Sequence, residues 1–358
     1  MRKNSLIRIF KYLLIIAIIT TGCEKESLSD LDTAIEDKMM QYNIPAVSLA
    51  IVKDEKLVYA KSYGLSDKEA SKPASTEDLY RIASLSKSIT AIAVLKLVQD
   101  GIITLDTKVF GPDGILGTTY GTPPAGSKKD LITVRHLLDH KSGWTNSPND
   151  PMFTNINLTQ KQLITDMLTT RPLASDPGSN YYYLNFGYCV LGRVIEKVTN
   201  TLYDNYVKSN LLQQCGISAM KIGGNTLNDR LPGEVKYYQS EFSPYSMNVT
   251  RMDSHGGWIA SATDLARFIV RIDRNKSKPD LIPEDLLNEM YFGNKNWYFF
   301  GSLPGTSSIL CRLDNTFRFA LIANTRTENE PDLILNDLYR TVKDMINSIS
   351  DWPNEDLF

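Results

Sequence analysis

Apolar and polar positions recur with two different periods along this chain, and the change of period marks its organisation. Near the start, residues 46–52 and 56–63 are apolar-rich runs divided by Lys53-Asp54-Glu55, which predicts two strands joined as a hairpin. Near the end, 296–300, 307–313 and 316–323 predict a strand meander. Helical spacing prevails between them, over 133–140, 159–168, 186–198, 202–211 and 263–272. Helices are also expected at 32–42, where Ile35 and Met39 share a face, and at 331–349. The stretch 111–126 is rich in Gly and Pro and reads as a long loop, while 223–256 is irregular and rich in Tyr. Strands at both ends with helices between predict one sheet built from the two chain termini, with a mostly helical lobe inserted between them. The α/β lobe is expected at about 32–82 and 256–358, and the helical lobe at about 83–255. A cleft where two such lobes meet is a common place for a small-molecule site.

Composition narrows the picture. With 42% hydrophobic and 22% charged residues, the 358-residue chain is ordinary for a globular protein and wholesale disorder is not expected. Residues 1–22 hold Arg2, Lys3, Arg8 and Lys11 and no acid; without them 35 basic residues face 41 acidic ones, a net of −6. A mildly acidic body argues against a nucleic-acid partner. The basic start precedes the apolar run 13–19 and then Thr20-Thr21-Gly22-Cys23, an export-signal pattern too short to span a bilayer comfortably. Gly22 before Cys23 resembles the lipobox of bacterial lipoproteins, with Thr20 where an aliphatic residue is usual; a plain secretory signal is the alternative. The expectation is an exported, cell-envelope protein held to the membrane by a lipid on Cys23, with 23–31 as a tether and one domain over 32–358. Cys189, Cys215 and Cys311 fit no zinc or redox spacing and read as small buried hydrophobes, with one disulfide and a spare thiol as the alternative.

The candidate chemistry lies at Ser84-Leu85-Ser86-Lys87, which follows a strand-like approach over 79–83 and opens an apolar helix ending at Gly101. The i, i+3 spacing puts Ser84 and Lys87 on one helix face, beside the unpaired N–H groups of the helix start. That field, with burial, favours a neutral lysine amine able to take the serine proton. S-x-x-K is the signature of an acylating serine, and weak when it stands alone.

Longer stretches strengthen it. Residues 80–91 with 100–106, Ile132-Thr-Val-Arg-His-Leu-Leu-Asp-His-Lys-Ser-Gly143, Tyr183-Leu-Asn185 and Gly256-Gly-Trp-Ile-Ala-Ser-Ala-Thr-Asp-Leu-Ala-Arg-Phe268 come in order. Together they resemble the serine β-lactamase-like family of class C β-lactamases, penicillin-binding D-alanyl-D-alanine carboxypeptidases and related esterases, over about residues 32–325. The resemblance implies a β-lactamase-like α/β fold: an antiparallel sheet flanked by helices, with the inserted helical lobe. It implies Ser84 as nucleophile, Lys87 and Tyr183 as proton-transfer groups, and Asn185 bonding the lysine or the substrate. A phenol beside a lysine ammonium gives up its proton more readily, so either Lys87 or Tyr183 can be the base. Read without the resemblance, Asn185 is a helix N-cap and Tyr183 a packing residue.

The third motif departs from the family. Where Lys-Thr-Gly or His-x-Gly is usual, alignment places Phe299-Phe300-Gly301, so the group that would pair with a substrate carboxylate is a phenyl ring. Loss of such a charge-assisted contact costs about 1.5–3 kcal/mol. The implied oxyanion hole uses the backbone N–H groups of Ser84 and Ser302, which a side-chain change leaves in place. His255 as a compensating group is the less favoured alternative. His136 and His140 lack a zinc-protease pattern, and no metal or cofactor is expected. The leading expectation is a serine hydrolase acting on a small-molecule or peptide acyl substrate: ester, peptide or β-lactam-like. A catalytically silent protein binding a peptide or cell-wall ligand is the alternative, and a true β-lactamase ranks lower because of Phe299.

Overall fold

The computed structural model describes residues 26–275, 277–290, 296–327 and 331–358. The export signal and Cys23 lie outside the described residues. The chain begins with α1 (Leu28–Tyr42), capped by Ser27 and Asp30 in a reciprocal box and stopped at Asn43 in the left-handed conformation. The hairpin β1 (Ala46–Lys53) and β2 (Lys56–Asp67) follows, with Lys53 opposite Lys56 across a two-residue turn. Short strands β3 (Lys72–Pro73) and β4 (Tyr80–Arg81) lead to a 3₁₀ turn at Ala83–Leu85 and the helix α2 (Ser86–Gln99).

The helical region holds α3 (Val134–Leu138), α4 (Gln160–Thr169), α5 (Asn185–Thr199) and α6 (Tyr203–Val207), the last continuing as a π turn over Lys208–Leu212. Next come β5 (Lys221–Ile222), β6 (Trp258–Ala260), α7 (Ala262–Ile269) and α8 (Glu284–Asn288). The chain closes with β7 (Trp297–Leu303), β8 (Thr306–Arg312), β9 (Phe317–Ala323) and α9 (Pro331–Ser348). The predicted helices and terminal strands are present with ends shifted by a few residues, except that the helix expected at 202–211 divides. β4 lies within the strand-like approach expected at 79–83, while β5, β6 and helix α8 were not anticipated.

Six antiparallel strands in the order β3-β2-β1-β9-β8-β7 form the main sheet, so both chain ends contribute neighbours and β7 is an edge. Strand alternation sends Val47, Leu49, Ile51, Phe319 and Leu321 to the face covered by α1 and α9. Ala46, Ala50, Val52, Ala320 and Ile322 face the other way, into the core shared with α2, α5 and α7. This is the α/β architecture the resemblance implies. Within that core α2 is buried almost all round, from Ser86 to Leu95, as expected of a helix apolar on every side. A central helix so enclosed holds its N-terminus, and the serine just before it, in a fixed place.

Cys189, Cys215 and Cys311 are buried free thiols, which settles them as small core residues rather than a disulfide. Burial pushes the Cys189 and Cys215 thiols up to about 12, so both stay protonated and inert.

Candidate active site

Ser84 sits in the 3₁₀ turn that enters α2, one step ahead of the α-helix proper. The residue before it, Ala83, has φ +49, the left-handed region that costs a non-glycine residue about 1–2 kcal/mol. That strained step is fully buried and follows β4, whose pairing with β6 (Tyr80 opposite Ala260) fixes the approach. Lys87 is buried, and its Nζ lies 3.2 Å from Ser84 Oγ and 2.8 Å from the His255 carbonyl oxygen. The ammonium also stands 4.9 Å from the centre of the Tyr183 ring. Tyr183 donates its hydroxyl to Ser84 Oγ at 2.7 Å. The serine oxygen therefore has an amine and a phenol within hydrogen-bonding reach, one from its own helix and one from the segment ahead of α5.

Tyr183 is not a core packing residue, being 41% exposed. What holds it is His140, whose ring lies 4.6 Å from the Tyr183 ring. The His140 carbonyl accepts the Tyr182 N–H at 2.8 Å, and its Nδ1 accepts the Leu184 N–H at 3.1 Å. To accept there the imidazole must be neutral, and burial with the nearby Lys87 charge pushes it down to about 3. His136 does a different job: its Nδ1 accepts the Thr133 N–H and closes the cap of α3. Among the described residues no cluster of His, Cys, Asp and Glu could hold a metal.

Asn185 is the first residue of α5, with Leu184 at the N-cap position, so it is not the cap that a reading without the resemblance suggested. Its Nδ2 donates to Asp150 Oδ2 at 2.7 Å, a partner in the long loop before α4. That bond, rather than one to Lys87, fixes the amide. His255 does not reach the cleft: its ring is buried, both ring nitrogens lack a hydrogen-bond partner among the described residues, and burial pushes its pKa well below the usual histidine value. Its contribution is the backbone carbonyl that receives Lys87.

The third-motif strand lies against the nucleophile turn. A β-carbon at Gly301 would stand 2.3 Å from the Ile82 carbonyl oxygen and 2.3 Å from Ser308 Oγ, so only glycine lets β7 approach this closely. Gly301 and Phe299 share the strand face turned towards Ser84, and Phe299 lines the cleft with its ring 5.1 Å from Trp297. Ser302 alternates to the opposite face, where its Oγ accepts from Arg326 Nη1 at 3.4 Å. The Ser302 hydroxyl is thereby turned away from Ser84. The cleft has a volume of about 290 Å³ and is walled by Ser84, Lys87, Ser88 and Ala91 of one helix stripe, by His140 and three tyrosines, and by the edge strand from Tyr298 to Phe300.

Sequence reasoning missed three contributors: Ala83, His140 as the support of Tyr183, and Asp150. A left-handed alanine leaves no mark in the sequence, and the partners of His140 and Asp150 lie 44 and 35 residues away.

The fold has counterparts among known proteins. Protein flp of Staphylococcus aureus (strain MRSA252) is 25% identical over 365 aligned positions, covering 92% of this chain and 71% of that protein. The octameric penicillin-binding protein homologue from Pyrococcus abyssi superposes with a TM-score of 0.71 at 24% identity, over 90% of this chain and 78% of that one. The D-amino acid amidase from Ochrobactrum anthropi SV3 gives a TM-score of 0.72 at 21% identity, over 89% and 100%. At these identities the two structures establish the fold. Residues 31–307, which hold the serine, the lysine, the tyrosine and the glycine strand, match the family described as Beta-lactamase, and the chain belongs to that family.

Proposed function

We propose that the protein is an exported serine hydrolase that forms an acyl-enzyme on Ser84, held to the cell envelope through Cys23. The observation that carries this reading is the convergence on Ser84 Oγ of Lys87 Nζ at 3.2 Å and Tyr183 OH at 2.7 Å. Ser84 Oγ attacks the substrate carbonyl carbon while its proton passes to the Lys87–Tyr183 pair. The tetrahedral oxyanion is received by the N–H groups of Ser84 and Ser302. Collapse breaks the bond to the leaving group, which takes a proton from the same pair, and water then hydrolyses the ester on Ser84. Asn185, whose amide is held by Asp150, is assigned the role of orienting the substrate by its likeness to the family motif alone. Phe299 in the cleft favours an ester or amide without a carboxylate over a penicillin or a D-alanyl peptide. A fold shared with a D-amino acid amidase suits acyl transfer more than silent binding.

Labelling with a fluorophosphonate tests the reading. Wild type should label stoichiometrically and Ser84→Ala not at all; equal labelling of both, or of neither, removes it.

A further inference from the structure

The cleft does not stop at the reacting serine. Ser84, Lys87, Ser88 and Ala91 follow one another at i, i+3, i+4 and i+7 and line it in a single stripe. Seven residues of helix carry that stripe about 10 Å from the nucleophile. At the far end of the stripe, and so at the inner end of the cleft, stands Ala91, 1% exposed, and Tyr188, Met290 and Phe299 line the same cleft. We infer that this inner end is a leaving-group pocket for an uncharged, apolar or aromatic alcohol or amine. The inference rests on the acyl-enzyme reading above and adds to it which part of the substrate is recognised, and by what.

Three observations carry it. The side of the cleft is set by chemistry: the group that protonates a departing oxygen or nitrogen must touch it, and Lys87 and Tyr183, both within reach of Ser84 Oγ, line this same cleft. The size fits, since about 290 Å³ is roughly twice the ~150 Å³ cavity that accepts benzene, leaving room for a ring and the reacting carbonyl. The charge pattern excludes anions. Among the described lining residues Lys87 is the one cation, and it already serves Ser84 Oγ and the His255 carbonyl; His140 in the same wall is kept neutral by burial. A carboxylate seated beside Phe299 would lose its water and gain no partner.

The test is a set of acetate esters that differ only in the alcohol: methyl, benzyl, 4-carboxybenzyl and 2-naphthylmethyl, run beside fluorophosphonate titration of Ser84. Wild type should hydrolyse benzyl acetate with kcat/KM about tenfold or more above both the methyl and the 4-carboxybenzyl esters. Ala91→Phe, which fills the inner end, should lower the benzyl-to-methyl ratio about tenfold. Met290→Ala, at a less enclosed position and so a second route if the buried substitution prevents folding, should raise the naphthylmethyl-to-benzyl ratio. Equal rates for benzyl and 4-carboxybenzyl esters in enzyme that labels at Ser84, or ratios unmoved by both variants, would overturn the pocket while leaving the acyl-enzyme intact. Failure of wild type to label would instead remove the reading beneath it, and the pocket with it.

Discussion

Gly301→Ala places a methyl group where the strand and the nucleophile turn meet. The new carbon would lie 2.3 Å from the Ile82 carbonyl oxygen, 2.3 Å from Ser308 Oγ and 3.2 Å from the Ala83 β-carbon. Ser308 Oγ donates to that same Ile82 oxygen at 2.8 Å, so the methyl would wedge into an existing hydrogen bond. Relief requires β7 to move away from Ser84 by about 1 Å, because a backbone carbonyl cannot rotate aside as a side chain can. Overpacking of this kind costs about 1–3 kcal/mol and the lost hydrogen bond about 1 more. The smaller entropy of the unfolded alanine chain returns about 0.4–1. The net expectation is a destabilisation of about 1–3.5 kcal/mol. A 1 Å displacement of the Ser302 peptide also spoils one oxyanion donor, which predicts a fall of about 10²-fold in the rate of acylation. Urea unfolding measures the first quantity and the rate of fluorophosphonate labelling the second. Adding Ser308→Ala removes one of the two colliding atoms and leaves Ile82, so stability should recover in part and the labelling rate should not. Wild-type stability together with wild-type labelling in Gly301→Ala would refute the claim that this glycine sets the distance between strand and serine.

Two further outcomes follow from buried groups. His140 and His255 are held neutral by burial, His140 down to about 3 and His255 well below its usual value, while the unfolded chain titrates near 6.5. Below pH 6.5 the unfolded state binds protons that the fold refuses, so stability is complete above that pH and falls on acidification by about 1.4 kcal/mol per pH unit for each histidine. His140→Gln, which keeps an acceptor for the Leu184 N–H, should remove one histidine's share of the slope between pH 6.5 and 5.5; an unchanged slope in thermal melts would contradict the assignment. Arg81 is fully buried, donates to the carbonyls of Pro244 and Gly224, stacks 4.3 Å over Tyr237 and lies 3.9 Å from the equally buried Glu234. Arg81→Met should cost about 3–5 kcal/mol by leaving that buried carboxylate without the Arg81 charge, its oxygens still accepting from Tyr237 OH and the Leu231 N–H, and Arg81→Met with Glu234→Gln should cost less than the two changes summed. Additive losses in denaturant melts would show the two residues to be uncoupled.

The sequence by itself determined the elements whose evidence is local. Apolar-rich runs at both ends specified the sheet from the two termini, and 3.6-residue spacing specified the helices between them. Ser84 and Lys87 were legible because three residues of helix place them side by side whatever the rest of the fold does. Tyr183 was legible only through its likeness to a family motif, since nothing within the run Tyr181-Tyr182-Tyr183 distinguishes one phenol from its neighbours. The strands β5 and β6 are two or three residues long, too short for a period to show, and they emerge only by pairing with each other and with β4, which lies in the strand-like approach at 79–83. Tertiary structure alone decided that Phe299 lines the cleft, that His140 holds Tyr183, that Asp150 takes Asn185, and that Gly301 admits the strand to the nucleophile. Each depends on residues brought from tens to hundreds of positions away, and such distances are set by packing and backbone approach, which no single stretch of chain encodes.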